Sequence, residues 1–430
     1  MNTISYLYSL YREYSSISTD TRNIKENSLF FCLKGEHFDG NYFVNNALEK
    51  GAAMVVTENT SFSNHPKAVI VPDALQTLQQ LAKMHREHLG IRVLGITGTN
   101  GKTTTKELIS AVLAQKYQTR ATRGNLNNHI GVPLTLLEMN NTDEFAVIEM
   151  GANHPGEIAD LCTIADPDCA VITNIGTAHI EGFVSRDAIF KTKIALYQHV
   201  AQKHGTLFVN TKDIPLTDKA NQIAREKKCH IVSCFTENKD LKVIDMNPFL
   251  HVELFGEKIK THFTGLYNVS NLLCAATVGH FYGVSKENIC QAIADYVPSN
   301  HRSQVLVKGK LTLIADYYNA NPSSMKTAID SLVATGIKPR QAILGEMLEL
   351  GTSTKTEHEK VVQYCKDHDI QALFIGENFA QVAPQDQYFA TTEDFNHAVL
   401  PYFFREGILL VKGSRGVHLE NLNIWNNPEK

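Results

Sequence analysis

Short runs of apolar and β-branched residues alternate with longer segments of helical periodicity along most of the chain. Several of these runs are apolar at nearly every position, which is typical of strands buried on both faces of a parallel sheet. Strands that alternate with helices predict α/β layers joined by right-handed crossovers. The clearest runs, each predicted to form a strand, cover residues 52–58, 68–73, 91–97, 145–151, 169–176, 206–210, 311–317, 342–347, 372–377 and 407–413.

The same pattern divides the chain into three blocks, each of which we expect to be a domain. The N-terminal block, residues 1–84, is a small α/β unit with a turn-rich segment, GEHFDGN. The central block, residues 85–299, holds the longest strand–helix series, and weaker alternation over 235–257 predicts a small antiparallel sheet. The sequence PSNHRSQ is typical of a linker, and a third strand–helix series fills the C-terminal block, residues 300–430.

Composition narrows the classes of protein that the chain could belong to. The 41 basic and 45 acidic residues give a net charge of −4, so no broad positive field favours nucleic acid. The eight cysteines form no CxxC pair that would suggest zinc. The N-terminus is too polar for a signal peptide, and no apolar run is long enough to span a membrane. We therefore expect a cytoplasmic protein that binds neither nucleic acid nor the membrane interior. We also expect a monomer, which composition does not decide.

The strongest local motif is GITGTNGKTTTKE, which follows a predicted strand and opens a predicted helix. Its glycines allow backbone N–H groups to surround phosphate, and the helix N-terminus favours negative charge. The spacing departs from the strict P-loop, since Ile96 stands where the first glycine is expected. From the loop alone, a kinase, GTPase or motor, or a turn without nucleotide, remains open. The expected nucleotide-binding residues are Gly98, Thr99, Asn100, Gly101, Lys102, Thr103 and Thr104, with the Thr103 hydroxyl on Mg²⁺.

Polar side chains follow two further predicted strands of the central block. Glu149 ends one strand, and Asn174, His179 and Glu181 follow the next. The carboxyl ends of parallel strands meet at one edge of a sheet, so these groups are expected near the glycine-rich loop. A carboxylate at that place is a natural Mg²⁺ ligand, although it could also simply meet water. Lys193 follows on a helix and, from its spacing alone, is an ordinary solvated lysine.

These motifs together resemble the Mur ligase family, which builds the peptide of bacterial cell-wall precursors. The family loop TGTNGKT is present as residues 97–103, and the likeness extends along nearly the whole chain. Within the family, the branch that adds D-alanyl-D-alanine resembles this chain in six further segments. These are GNLNNHIGVPLTLL, DYYNANPSSM, LGEMLELG, LVKGSRG, and the N-terminal pair STDTR and FFCLKGEHFDG.

The resemblance implies three domains: a UDP-sugar-binding domain, a central ATP-binding P-loop domain and a C-terminal Rossmann-like domain. It implies ATP and Mg²⁺ as cofactors, with UDP-N-acetylmuramoyl-tripeptide and D-alanyl-D-alanine as small-molecule substrates. Their ligation would pass through an acyl-phosphate during peptidoglycan precursor synthesis. By the same likeness, Glu149 and His179 would bind Mg²⁺, and Lys193 would be the family's carbamylated lysine, which can hold a second Mg²⁺. Lys102, Lys193, His179 and Glu149 are thus the expected catalytic residues.

The resemblance also assigns binding residues in all three blocks. For the nucleotide, Asn271 would lie near the adenine, Arg302 and Asp316 would contact phosphate and ribose, and Asn319 and Asn321 would face the nucleotide or close the domain. The expected substrate-binding residues are Thr21, Arg22, Lys34 and Asp39 around the UDP, Asn127 and Asn128 at the sugar-peptide, and Lys412, Ser414 and Arg415. The chain departs from the family pattern at Ala195, often a glutamate, and at Glu346, more often an aspartate.

Two alternatives stay open at this point. Another Mur ligase would add a single amino acid to a different UDP-muramyl peptide, against which the NANPSSM segment argues. A P-loop protein could instead be a nucleotide-regulated binding module without ligase activity. The polar residues at neighbouring strand ends argue against that module, because mere nucleotide binding does not need them.

Overall fold

A computed structural model describes residues 2–36, 38–176, 180–183, 185–299, 301–399 and 404–426. Its architecture is α/β with three main sheets in succession along the chain. Each of the ten apolar runs predicted to be a strand overlaps one. In the part of the chain that the structure describes, no helix combines the length and apolarity that crossing a membrane requires.

The first sheet has four parallel strands in the order β1-β2-β5-β6, beside a two-stranded hairpin of β3 and β4. Its longest helix begins where the Asp73 carboxylate accepts from the Gln76 N–H and ends at Gly90, which has a positive φ. The elements are α1 (Thr3–Tyr14), β1 (Ile17–Ser18), β2 (Leu29–Phe31), β3 (Lys34–Gly35), β4 (Phe38–Asp39), α2 (Val44–Glu49), β5 (Met54–Thr57), β6 (Ala68–Ile70) and α3 (Ala74–Leu89).

The second sheet has six parallel strands in the order β12-β11-β10-β7-β9-β8. The carboxyl ends of its central strands β10, β7 and β9 therefore share one edge, as the sequence predicts. The elements are β7 (Arg92–Thr97), α4 (Lys102–Leu113), β8 (Thr119–Ala121), α5 (Gly131–Leu137), β9 (Phe145–Glu149), α6 (Glu157–Ala165), β10 (Cys169–Ile172), α7 (Ile180–Phe183), α8 (Arg186–Gln202), β11 (Thr206–Val209), α9 (Ile214–Lys227) and β12 (His230–Ser233).

A small antiparallel sheet and two helices follow before the linker. The weak alternation over 235–257 predicts this sheet, and the structure confirms it with a third strand beyond that range. The first helix of this group, α10 (Asn268–Phe281), packs its apolar face against α4 and so supports the helix that follows the glycine-rich loop. The elements are β13 (Leu241–Met246), β14 (Leu250–Leu254), β15 (Glu257–Lys260), α10 (Asn268–Phe281) and α11 (Lys286–Asp295).

The third sheet has six strands in the order β16-β17-β21-β18-β19-β20, of which only β16 runs antiparallel to its neighbour. The carboxyl ends of β17 and β21 face the glycine-rich loop of the central sheet. The elements are β16 (Gln304–Lys308), β17 (Lys310–Asp316), α12 (Pro322–Ala334), β18 (Arg340–Gly345), α13 (Thr354–Asp367), β19 (Gln371–Ile375), β20 (Tyr388–Phe389), α14 (Thr392–Ala398) and β21 (Glu406–Lys412).

The hydrophobic cores do not follow the three sheets one for one. A single cluster of buried side chains runs from Leu7 in α1 through α3 to Ile223 in α9, so it joins the first sheet to one face of the second. The other face of the second sheet packs on α4 and α10. The third sheet has two clusters of its own, one on each face. The first two sheets therefore share apolar packing that the third sheet does not join.

Candidate active site

The loop between β7 and α4 requires glycine at two positions. Gly98 has φ +148°, and a Cβ there would lie 1.9 Å from Thr173 Oγ1. Gly101 has φ +77°, and a Cβ there would lie 2.8 Å from Asn271 Oδ1. Gly101 is also the N-cap of α4 and offers no side-chain acceptor to the first amides of that helix. The helix N-terminus is therefore open to an anion from outside the chain.

The end of β10 holds this loop in place through side chains. Asn174 accepts from the Asn100 N–H at 3.1 Å and donates its own amide to the Asn100 carbonyl at 2.9 Å. The Thr173 hydroxyl donates to the same carbonyl at 2.7 Å. Asn174, predicted at this edge from its strand position, thus has a definite role in fixing the loop.

Two lysines place their ammonium groups on one backbone oxygen of the loop. Lys102 Nζ donates to the Gly98 carbonyl at 2.9 Å and to the Thr99 carbonyl at 3.1 Å. Lys193 Nζ donates to the Gly98 carbonyl at 3.0 Å. The site therefore concentrates positive charge beside amides that are suited to phosphate.

Burial changes the chemistry of both amines. Burial lowers the pKa of Lys102. The Glu149 carboxylate raises this pKa in part, and repulsion from Arg302 lowers it further. Lys193 is only 4% exposed, and burial, with repulsion from Lys102, lowers its pKa to about 7. The expectation of a solvated lysine at this position, drawn from spacing alone, is wrong. Lys191, two residues earlier, is the solvated one and pairs with Asp187 at 2.7 Å.

Glu149 has a buried carboxylate of which one oxygen lacks a hydrogen-bond partner among the described residues. It ends β9 at 1% exposure, and its Oε1 accepts from Asn127 Nδ2 at 2.8 Å. Among the described residues, its Oε2 has no hydrogen-bond partner. A buried carboxylate oxygen without a partner is costly, and a divalent cation would satisfy it. Glu149 and the Thr103 hydroxyl line the same cavity and fit a magnesium site, whereas Lys193, which also lines it, would supply oxygen ligands only after carbamylation. His179, predicted as a further ligand, lies outside the described residues.

The cavity has a volume of about 1060 Å³ and opens between the central and C-terminal sheets. Asn271 lines it from α10, with its amide donating to Asn268 Oδ1 at 2.9 Å and its carbonyl accepting from the Thr105 hydroxyl at 3.0 Å. The wall on the C-terminal side is formed largely by the segment that follows β17, together with residues 302 and 303 and Lys412. The cavity is thus completed by parts of the chain that are far apart in sequence.

Charged groups of the C-terminal side are held in fixed pairs. Lys412, at the end of β21, donates to Asp316 Oδ2 at 2.8 Å and to the Asn319 carbonyl at 3.1 Å. Asp316 Oδ1 accepts from the Ser303 N–H at 3.1 Å. The guanidinium of Arg302 lies 3.7 Å from the centre of the Tyr318 ring, a cation–π contact that orients it at the cavity.

A direct contact joins the glycine-rich loop to α12. Asn321 Nδ2 donates to Asn100 Oδ1 at 2.9 Å, and Asn100 Nδ2 donates to Ser323 Oγ at 2.8 Å. Asn321 is also the N-cap of α12, because its Oδ1 accepts from the Ser324 N–H at 2.9 Å. Ser323 was missed by the sequence reasoning, although it lies in the quoted segment NANPSSM. An Asn followed by Pro is a signal that could have placed Ser323 in the first turn of a helix, although not beside the loop.

Comparison with known proteins agrees with this geometry. The chain matches the Mur ligase family catalytic domain over residues 13–89, the Mur ligase middle domain over 96–279 and the Mur ligase glutamate ligase domain over 301–414. It is 35% identical to the UDP-N-acetylmuramoyl-tripeptide–D-alanyl-D-alanine ligase of Bacillus subtilis over 94% of this chain and 92% of that one. The chain belongs to the Mur ligase family.

Solved structures extend the likeness to the whole Mur ligase fold. MurF from Acinetobacter baumannii superposes with a TM-score of 0.83 at 29% identity, covering 96% of this chain and 92% of that one. The MurF ligase from Thermotoga maritima in complex with ADP gives 0.81 at 25% identity, covering 99% and 98%. The predictions of the family and of the three-domain α/β architecture are confirmed. The boundaries at residues 84 and 299 stay predictions.

The Mur ligase cavity brings together most of the predicted site residues. Their individual roles stay predictions, but two of them show contacts different from those expected. Asn127, expected at the sugar-peptide, holds Glu149, and Lys412, expected at substrate, holds Asp316. The predicted residues in the wall are Gly98, Thr99, Asn100, Gly101, Lys102, Thr103, Thr104, Asn127, Asn128, Glu149, Lys193, Asn271, Arg302, Asp316, Asn319, Asn321 and Lys412.

The remaining predicted residues that the structure describes lie outside that wall. Ser414 accepts from the Leu348 N–H at 3.0 Å, and the Arg415 guanidinium is 5.8 Å from the centre of the Tyr318 ring. The four residues predicted around the UDP lie in the N-terminal block, Thr21 and Arg22 in a loop and Lys34 and Asp39 in the β3–β4 hairpin. Thr21 accepts from Lys50 through its carbonyl, Arg22 pairs with Asp20, Lys34 pairs with Glu58, and Asp39 accepts from the Asn41 N–H.

Proposed function

We propose that this Mur ligase adds D-alanyl-D-alanine to UDP-N-acetylmuramoyl-tripeptide, with the formation of UDP-muramyl-pentapeptide, ADP and phosphate. The observation that carries the proposal is the single cavity in which a glycine-rich phosphate loop, a buried carboxylate with a free oxygen and the C-terminal sheet meet. The relatives in the comparisons that carry this activity in their names support the choice of substrates.

ATP is needed because it converts a poor leaving group of the carboxylate into phosphate, which leaves readily. A carboxylate resists attack by an amine because it is anionic and its oxygen leaves poorly. When the carboxylate oxygen attacks the γ-phosphorus of ATP, the bond to the bridging oxygen breaks and ADP departs. The amine of D-alanyl-D-alanine then attacks the carbonyl carbon of the acyl-phosphate, loses a proton, and expels phosphate as the amide forms.

The chain's own groups make the approach of these anions possible. The amides of the loop and of the α4 N-terminus bind the phosphates, and Lys102 supplies an ammonium beside them. The Thr103 hydroxyl, Glu149 and a carbamylated Lys193 would hold magnesium, which supplies positive charge that screens the phosphoryl oxygens. Arg302, fixed on Tyr318, adds a further positive group on the C-terminal side.

We also propose that Lys193 becomes carbamylated, as the family resemblance implies. With a pKa of about 7, much of the Lys193 amine is neutral near neutral pH and can attack carbon dioxide. A C–N bond forms, one proton is released, and the side chain becomes an anion. This anion would turn a repelling ammonium into a group that attracts a divalent cation.

Water must be kept from the acyl-phosphate, because hydrolysis would waste the ATP. The contacts of Asn321 and Ser323 with Asn100 bring α12 against the phosphate loop and cover one side of the cavity. Closure of this side is the role that we propose for the C-terminal domain. The expectations of a cytoplasmic location and of a monomer accompany this function and stay predictions.

The deciding experiment measures ADP formation and product mass with purified chain and Mg²⁺. We expect ADP in molar excess over the enzyme only when UDP-N-acetylmuramoyl-tripeptide and D-alanyl-D-alanine are both present, and a product heavier than the tripeptide by the dipeptide less one water. ADP formation with a single L-amino acid in place of the dipeptide would favour another Mur activity. Nucleotide binding without ADP formation under any combination would favour the binding module and overturn the proposal.

A further inference from the structure

One buried lysine close to the phosphate loop has no part in the reaction described above. Lys106 is only 2% exposed and is among the largest fully buried side chains of the protein. It lies on α4 three residues after Thr103, so the two side chains share a face of that helix. It is absent from the cavity wall. Burying an ammonium is expensive unless its donors find acceptors, so its contacts should explain its presence.

The Lys106 ammonium contacts two groups in the described part of the chain. It donates to the Thr122 carbonyl at 2.6 Å, and it lies 3.5 Å from Glu107 Oε1. The Glu107 carboxylate also accepts from the hydroxyl of Tyr296. The charge is therefore partly balanced by Glu107, while the short contact is with Thr122.

Thr122 in turn touches the candidate metal ligand. It follows the last residue of β8, and its N–H donates to the Val147 carbonyl at 3.1 Å. Its hydroxyl accepts from the backbone N–H of Glu149 at 2.9 Å. Thr122 is itself 2% exposed, so water does not compete for these bonds. Two hydrogen bonds, one at the carbonyl and one at the hydroxyl of Thr122, thus link Lys106 to the backbone of Glu149, whose Oε2 has no partner among the described residues.

We propose that Lys106 is a positioning residue that acts through Thr122 to fix Glu149 for a divalent cation. The inference rests on the proposed function, because it assumes that Glu149 binds the cation. Groups behind a metal ligand decide how its oxygens are aimed, and their loss weakens metal binding without touching the metal. A lysine that merely joined α4 to β8 would affect the stability of the protein but not its affinity for a cation.

The test measures Mn²⁺ binding to the full-length chain at saturating ADP, by electron paramagnetic resonance of free Mn²⁺. Lys106→Met keeps the aliphatic stem and removes the ammonium, and Thr122→Val removes the hydroxyl that accepts from Glu149. We expect each to weaken Mn²⁺ binding by about tenfold or more. Thr122→Ser keeps the hydroxyl and should retain the affinity of the wild type.

Lys116→Met is the matched control. Lys116 follows the same helix and also donates to backbone carbonyls, those of Tyr282 and Gly283 at 3.1 Å, but in the described part of the chain it does not donate to Thr122 or to Glu149. We expect its Mn²⁺ affinity to equal that of the wild type even if urea unfolding shows a loss of stability similar to that of Lys106→Met.

Glu149→Gln separates failure of the inference from failure of the proposed site. If Glu149→Gln binds Mn²⁺ as well as the wild type, the magnesium role of Glu149 is wrong. If Glu149→Gln loses Mn²⁺ while Lys106→Met and Thr122→Val keep it, the positioning role alone is wrong. Should Lys106→Met fail to fold, the comparison of Thr122→Val with Thr122→Ser decides, and equal affinities of these two would overturn the inference.

Discussion

The Gly98 carbonyl accepts from two ammonium groups, those of Lys102 and Lys193. The two lysines come from different helices, and repulsion from Lys102 adds to burial in lowering the pKa of Lys193. The site therefore combines one amine suited to a phosphate with one amine whose proton is readily lost. The two can be separated by experiment.

Lys102→Ala should abolish ligation while the binding of the UDP-substrate stays nearly unchanged. Loss of such an electrostatic group typically costs about 3 kcal/mol or more of transition-state stabilisation, or about a hundredfold in rate. ADP formation measures the first effect and isothermal titration with UDP-N-acetylmuramoyl-tripeptide the second. Lys191→Ala, an exposed lysine on α8, serves as the control. An equal loss of rate and of substrate affinity in Lys102→Ala would contradict the assignment.

Lys193 should make the stability of the protein depend on pH in one direction. Its pKa is about 7 in the folded chain and 10.5 in a solvated lysine, so between these values the unfolded chain holds one more proton. The free energy of unfolding therefore rises with pH through this window, and the contribution is constant below about pH 7. Urea unfolding in buffers free of carbon dioxide should show a steeper rise for the wild type than for Lys193→Met. Parallel curves for the two proteins would exclude the depressed pKa, and Lys191→Met should follow the wild type.

At the residue scale, site residues could be predicted from the sequence where a local motif or a strand end is sufficient to identify them. Lys102 and Gly98 belong to a motif that needs them, and Glu149 could be placed by its position at the end of a strand. The burial of Lys193 could not be predicted from spacing, because it depends on the loop packed above its helix. Lys106 and Thr122 were missed for a similar reason: their contact joins a helix to the residue after the next strand, 16 positions along the chain, and no local pattern marks it.

At the scale of elements, the N-terminus of α12 serves both its own helix and the phosphate loop. Asn321 caps the helix through its side-chain oxygen and contacts Asn100 through its side-chain nitrogen. The cap is a local requirement, whereas the contact joins residues 221 positions apart. Only the cap has a signature in the sequence, in the order Asn-Pro-Ser-Ser.

Two variants of Asn321 should separate these functions. Asn321→Ala loses the cap and should lower the free energy of unfolding by about 1 kcal/mol, while Asn321→Ser keeps a capping oxygen and should lose little. Both lose the donor to Asn100, so both should slow ADP formation to a similar extent. Urea unfolding and the steady-state assay measure the two effects. A rate for Asn321→Ser equal to that of the wild type would show that the contact with Asn100 is unimportant.

Element prediction succeeded where burial leaves a continuous apolar run. The strands β7, β9, β10 and β21 are apolar on both faces and were predicted. The two-residue strands β1 and β20, and the edge strand β8, were not, because a short or half-covered strand leaves no clear period. Tertiary pairing, rather than local sequence, makes these segments strands.

For the whole molecule, we expect the C-terminal sheet to move toward the central sheet when the ligands bind. Small-angle scattering should show a smaller radius of gyration with UDP-N-acetylmuramoyl-tripeptide and a non-hydrolysable ATP analogue than without them, because the cavity lies between these sheets. The same ligands with Lys102→Ala should give less compaction at equal concentrations, since that variant binds phosphate poorly. Identical scattering of the wild type with and without ligands would rule out closure.

The placement of the three sheets relative to one another was beyond prediction from the sequence. Hydrophobic periodicity defines each series of strands and helices, but the contacts between series, such as Asn100 with Asn321, are single polar pairs without a pattern. The family resemblance supplied the three-domain order, and the comparisons confirmed it.

One apolar cluster, from Leu7 to Ile223, spans the boundary between the N-terminal and central blocks. The C-terminal block could therefore be exchanged as a unit, whereas the N-terminal block could not. If a chimaera joined two relatives within the segment 298–304, each large hydrophobic core would come from one parent. The C-terminal block of a distant relative could therefore replace that of this chain. A cut near residue 90 would instead divide one core between two donors, and the foreign halves would have to fit each other side chain by side chain. We therefore expect chimaeras joined near residue 300 to fold, and chimaeras joined near residue 90 to lose stability.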